Sequence, residues 1–144
     1  MDSGYMKQIR ERILSSEDGT IFATSDFADI ADSATVRQSL NRLVQAGILR
    51  RILRGIFEKS KYCGILNQFL EVNPDAVAKT LACTYHWTIT PYGNAALYLS
   101  GLSDQRPTIW SYMSNGPYRT YEWDSIRIEF KHRTNKEFIQ RCIN

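Results

Sequence analysis

The chain has 144 residues, 43% of them apolar and 12% aromatic, and a formal net charge of +3. That length can bury one good core, or a small module plus a second compact unit, and no apolar run approaches the roughly 18 residues a membrane span needs. The N-terminus, MDSGYMKQIRER, lacks the apolar centre of a signal peptide, and Cys63, Cys83 and Cys142 form no CxxC pair. Both features lead us to expect a cytoplasmic protein with buried or reduced thiols and no membrane partner.

Tyr5, Ile9 and Ile13 recur at steps of four with Met6 and Leu14 alongside, which predicts a first helix opposed by Lys7, Arg10, Glu11 and Arg12. Gly19 suits the left-handed position after it. Thr20 to Ala23 reads as a very short strand, and Ser25 or Asp26 as the N-cap of a short helix through Phe27, Ile30 and Ala31. Asp32 or Ser33 caps the next helix, whose buried stripe is Val36, Leu40, Leu43 and Val44, and Gly47 closes it. ILRRILRGIFEK then supplies two β-prone runs around a tight turn at Leu53-Arg54-Gly55.

Helix, short strand, helix, helix and basic hairpin is the order of a winged helix-turn-helix, here over residues 1–61. Residues 62–144 read as an α+β unit. Its connector is expected to be partly helical around Ile65 to Leu70, and a helix starts at Pro74 with Val77, Leu81 and Tyr85 on one face. TITPYG interrupts, NAALYLSGL forms a short helix stopped by Gly101, and PTIWSYM, YRTYEWD and SIRIEFK are strands. Asn115-Gly116-Pro117 and Asp124-Ser125 supply the turns. The expected fold class is therefore α+β: an N-terminal winged helix-turn-helix, then a small α+β domain with an antiparallel sheet.

The charge is unevenly spread. Residues 1–32 carry three Lys/Arg against seven Asp/Glu, residues 33–61 seven against Glu58 alone, and residues 62–144 eight against seven. The basic charge thus belongs to the second helix of the motif and its hairpin, a local electrostatic footprint. In a winged helix-turn-helix that helix lies in the DNA major groove, where Arg pairs with guanine and Asn or Gln with adenine. Arg37, Gln38, Asn41 and Arg42 are the candidate readers. Ser33 and Thr35 near the helix N-terminus are candidates for a phosphate. Arg50, Arg51, Arg54 and Lys59 on the wing would contact phosphates or reach the minor groove. The alternatives are a solvated polar face, or a module whose basic wing docks an acidic protein surface.

Chemistry of other kinds is sparse. His86 and His132 have no second ligand at metal spacing, and there is neither a P-loop nor a GxGxxG, so no metal, cofactor or enzymatic activity is expected. Asp124, Glu129 and Lys131 loosely match the D…ExK arrangement of metal-dependent nucleases. On a strand, however, Glu129 and Lys131 lie opposite Ile128 and Phe130, the pattern of a solvated sheet face.

Three blocks carry a resemblance: SATVRQSLNRLVQAGILRRILRGIFEKSKY, PDAVAKTLACTYHWTITPYGNAALYLSGLSDQRP and YMSNGPYRTYEWDSIRIEFKHRTNKEF. In this order, over roughly residues 5 to 138, the sequence resembles the AbiEi-like antitoxins of bacterial type IV toxin–antitoxin systems, with YLSGLSDQ a mild departure. The resemblance implies a DNA-binding antitoxin whose winged helix binds inverted repeats in its own promoter, as a monomer or weak dimer on double-stranded DNA. It also implies a functional partner, a nucleotidyltransferase-like toxin, neutralised without a tight complex. On that carry-over the wing and helix residues serve DNA, and Arg119, Arg127, Lys131 and Arg133 are the candidates for the second role. Relatives often continue beyond the position of FIQRCIN.

Overall fold

The computed structural model describes residues 4–60, 62–63, 68–69 and 72–133. The chain divides into two compact units, Met1–Thr80 and Leu81–Asn144; the sequence reading places its boundary earlier, after residue 61. The fold is mixed α+β.

In the first unit, α1 (Gly4–Leu14) buries Ile9 and Ile13, two of the three residues at steps of four, while Tyr5 stays half exposed. β1 (Ile21–Ala23) follows. The helix expected through Phe27, Ile30 and Ala31 is instead a single 3-10 turn, Thr24–Phe27, continued by a hydrogen-bonded turn through Ile30. Asp26 sits third in that turn and reaches back, its Oδ2 accepting from the Ala23 N–H at 2.8 Å. That bond holds the backbone in a tight entry, and the Ala31 N–H closes one last bond onto Phe27 O before the chain leaves for the next helix.

α2 (Ser33–Gln45) is capped by Asp32, whose Oδ1 accepts from the Thr35 N–H at 3.0 Å. This contact pulls the Asp32 carboxyl below its ordinary pKa. Val36, Leu40 and Leu43 are buried as the stripe predicts, with Ser39 buried beside them. β2 (Leu49–Leu53) and β3 (Ile56–Lys59) form an antiparallel hairpin, and β3 also pairs with β1, so the sheet order is β1-β3-β2. The hairpin tip is Arg54-Gly55; Gly55 has φ +77°, where a Cβ is disfavoured. A bulge at Ile52 breaks the register just before the tip. Thr24 N donates to Gly55 O at 3.1 Å, tying the tip to the 3-10 turn.

Ile9, Ile13, Phe22, Phe27, Val36, Leu40, Leu43, Leu49 and Phe57 make one core between the helices and this sheet. Each such side chain is worth about 1.5–3 kcal/mol when fully buried. The other face of the sheet is covered as well, since Ala23, Ile56 and Glu58 are all buried.

The connector holds a second correction. β4 (Tyr62–Cys63) and β5 (Gln68–Phe69) pair antiparallel, so Gln68 and Phe69 are in a strand where helix was expected. Ile65 and Leu70 lie outside the described residues. α3 (Pro74–Tyr85) begins at Pro74, with the Asn73 side chain accepting from Asp75 N–H. Val77 and Leu81 are buried as expected, but Tyr85 is 52% exposed. The helix stops there because His86 takes φ +60° and Trp87 N–H turns back onto Ala82 O. Tyr85 then stacks on Trp87, ring centroids 4.8 Å apart, rather than continuing the buried stripe.

In the second unit, β6 (Ile89–Tyr92), β7 (Ile109–Ser114), β8 (Arg119–Trp123) and β9 (Ile126–His132) form one sheet in the order β6-β7-β9-β8. TITPYG is thus mostly strand. Pro91 is tolerated because β6 lies at the edge of the sheet. α4 (Gly93–Leu99) packs on it, Tyr98 meeting the buried Trp110 edge-on at 5.6 Å.

The sheet is not purely antiparallel: β7 and β9 run parallel. Asn115-Gly116-Pro117 therefore does not close a hairpin between β7 and β8, since β9 lies between them. The segment is anchored elsewhere. Asn115 exchanges bonds with the Thr88 backbone, and His132 Nδ1 lies 2.8 Å from Gly116 O. Gly116 fits under the Trp87 indole, which a Cβ there would strike, and Pro117 has no N–H for a strand ladder. Asp124-Ser125 does make the expected turn, joining β8 to β9 with Trp123 opposite Ile126.

Candidate nucleic-acid interface

The surface of residues 33–60 is built by α2 and the β2–β3 hairpin. Burial of Val36, Ser39, Leu40 and Leu43 leaves Ala34, Arg37, Gln38, Asn41 and Gln45 exposed on the opposite face, at three- and four-residue steps. These five form one continuous strip. Arg37 Nε donates to Ser33 O at 3.3 Å, which lays its side chain back along the helix. Ser33 is exposed at the first turn, and Thr35 is half-buried beside the cap. Arg42 stands off the strip, on the flank toward α1, with Nη1 3.8 Å from Met6 Sδ.

On the hairpin, Arg51 and Arg54 are exposed, Arg54 at the tip. Two other expected wing contacts are committed inside the protein. Arg50 lies directly opposite Glu58, and its Nη2 meets Glu58 Oε1 at 2.6 Å with Glu58 only 2% exposed. A buried carboxylate demands such a partner, because leaving it unpaired in a water-poor site costs several kcal/mol. Lys59 Nζ donates to Leu14 O and Ser16 O and sits 3.5 Å from Asp18, so it satisfies carbonyls at the end of α1. Both side chains, expected as phosphate contacts, are thus engaged with groups of the first unit. Their sequence positions gave no sign of this; the signal is the pairing register, which places Arg50 across from the segment's one acid.

The consequence is electrostatic. With Glu58 buried, the exposed charges of residues 33–60 are Arg37, Arg42, Arg51 and Arg54, with no exposed carboxylate among them.

The acidic N-terminal part is partly neutralised by its own cation. Arg12 forms a two-pronged contact with Asp29, donates to Asp26 O and lies over the Phe27 ring. Asp29 is held below the usual carboxylate range by that guanidinium, and Arg12 is raised by it in turn.

A family model matches residues 8–142, nearly the full length and both units. The chain belongs to the family of unknown function DUF6088. No curated protein matches it closely enough to add a role.

In this DUF6088 chain the four residues set aside for a second role do not form one patch. Arg127 and Lys131 share a face of β9, where Arg127 is 3.5 Å from Glu122 and 3.2 Å from Glu129. Lys131 Nζ lies 5.7 Å from the centre of the Tyr92 ring, and Tyr92 holds the ammonium above its ordinary pKa. Arg119 pairs with Phe130 in register and so belongs to the other face, where its Nη1 donates to Tyr118 O. Arg133 follows the end of β9 and donates to His132 O.

Asp124 and Glu129 are not brought together either. Asp124 is in the β8–β9 turn, about 13 Å along the strand from Glu129 at roughly 3.3 Å per residue. Among the described residues no three His, Cys, Asp or Glu side chains converge as metal ligands, and no helix is long and apolar enough to cross a membrane.

Proposed function

We propose that the first unit is a winged helix-turn-helix that binds duplex DNA by sequence, with α2 in the major groove and the β2–β3 hairpin as the wing. The chain then acts as a transcriptional regulator, an antitoxin that represses its own operon.

The observation that carries the DNA reading is that the exposed charges of residues 33–60 are Arg37, Arg42, Arg51 and Arg54, with no exposed carboxylate among these residues, and that α2 adds exposed amide side chains. A polyanion of regular spacing fits such a surface, and amide and guanidinium groups match the donor–acceptor pattern of purine edges. The element order α1, β1, 3-10 turn, α2, β2, β3 and the sheet order β1-β3-β2 support the same reading. The antitoxin role rests on the sequence resemblance alone.

The test of DNA binding is fluorescence anisotropy with the DNA upstream of the protein's own gene, against random duplex of equal length, over a range of salt. The reading expects selective binding that weakens steeply with salt. Equal affinity for both duplexes, or none, would overturn it in favour of a protein-docking face. For the antitoxin role, co-expression with the adjacent open reading frame should relieve that frame's toxicity. A neighbour without toxicity would count against it.

A further inference from the structure

The exposed strip on α2 carries more than a general affinity for DNA. We infer that it reads a half-site in which a guanine and an adenine lie two to three base steps apart on one strand, Arg37 taking the guanine and Asn41 the adenine. The inference rests on the DNA-binding reading above and specifies its target.

Three observations support the assignment. The Arg37 Nε bond to Ser33 O engages one edge of the guanidinium and leaves the Nη1 and Nη2 groups of this exposed side chain without a partner among the described residues, able to donate in pairs to guanine O6 and N7. It also carries the head group toward the start of α2, the part of a recognition helix that meets base edges. Asn41 is exposed one turn further on, and its amide matches adenine N6 and N7. Four residues of helix rise about 6 Å, and the backward lean of Arg37 adds to that, against about 3.4 Å per base step. The strip carries no carboxylate, the group that would accept from cytosine N4. Arg42 is left out because it sits on the flank beside Met6, where it is placed for a phosphate together with the wing arginines.

The experiment starts from the tightest duplex selected by the full-length protein out of a random-sequence pool. Each guanine is replaced in turn by 7-deazaguanine and each adenine by 7-deazaadenine, which removes only the N7 acceptor. One guanine and one adenine, two to three steps apart on one strand, should each weaken binding about tenfold or more. Arg37→Ala should abolish the guanine effect alone, and Asn41→Ala the adenine effect alone. Arg37→Lys, which keeps the charge and loses the fork, should behave as Arg37→Ala toward guanine while keeping most of the overall affinity. Sensitive bases at another spacing, or sensitivities unchanged in both variants, overturn the assignment while leaving DNA binding intact. A protein that enriches no duplex from the pool removes the DNA-binding reading and this inference with it.

Discussion

The surface of residues 33–60 and the outer face of β9 both carry several cations, yet they differ in what those cations have to do. On β9, Arg127 is bracketed by Glu122 and Glu129, and Lys131 rests by Tyr92. On α2 and the hairpin, the one acid is buried against Arg50, and four arginines face water with no carboxylate among them. Net charge already separates the two regions: residues 33–60 carry six Lys/Arg against Glu58, and β9 carries two against Glu129. The placement of the acids widens the difference: they go into the surface on β9 and beneath it in residues 33–60. A face that neutralises itself has little to offer a polyanion, whereas an un-neutralised one gains by releasing the counterions of a phosphate backbone.

The largest expected effect bears on how the acid is kept beneath the surface. Arg50→Leu leaves Glu58 buried without its guanidinium and should destabilise the protein by about 3–5 kcal/mol in urea denaturation. Arg50→Leu combined with Glu58→Leu should recover most of that loss. If the single variant unfolds no earlier than wild type, the pair does not hold the sheet.

In the second unit, Gly116→Ala drives a methyl into the Trp87 indole and should cost about 1–3 kcal/mol, read as a lower urea midpoint. An unchanged midpoint would mean that the indole yields freely and that the turn is not locked as described.

Smaller effects fall on binding rather than folding. Arg37→Ala should relax base preference by about 1–3 kcal/mol without altering stability, whereas Arg54→Ala should weaken all duplexes alike and lower the salt slope by about one. Arg127→Ala is the control from the other surface, and its duplex affinity should equal that of wild type. A loss as large as that of Arg54→Ala would erase the contrast between the two faces.

The smallest effect concerns the Asp32 cap. Its carboxyl has a folded-state pKa below the unfolded value, so its stabilisation is present at neutral pH and fades as pH falls through the folded pKa. Asp32→Asn retains an acceptor for the Thr35 N–H and should remove this acid-limb dependence while leaving the melting temperature at pH 7 nearly unchanged. An acid limb identical to that of wild type would contradict the assignment.

Much of the first unit is legible in the sequence because local signals and tertiary packing agree there. Asp32 before α2, the spacing of Val36, Leu40 and Leu43, and Gly55 at the hairpin tip each fix one local choice that the core then rewards. The segment after β1 reads as a longer helix than it is because Asp26 suits a helix cap and is equally good at closing a single 3-10 turn. In the second unit β7, β8 and β9 are legible, but β6 and the strand order are not. Asn115-Gly116-Pro117 has the composition of a hairpin turn, and only the distant Trp87, Thr88 and His132 show that it crosses β9 instead.

Candidate contact residues divide the same way. Composition finds the arginines, but whether an arginine faces solvent or a buried acid depends on cross-strand register, which separates Arg50 from its neighbour Arg51.

The most direct test of the central claim is the salt dependence of binding to the upstream duplex by wild type and by the combined Arg37, Arg42, Arg51 and Arg54 to Ala variant. Each neutralised phosphate contributes a slope of about −0.9 in log K against log salt. The wild type should show a slope equivalent to several phosphates, and the variant, still folded by circular dichroism, should show a nearly flat line and little affinity. A folded variant that binds with the wild-type slope would contradict the account, because the charge that meets DNA would then lie elsewhere.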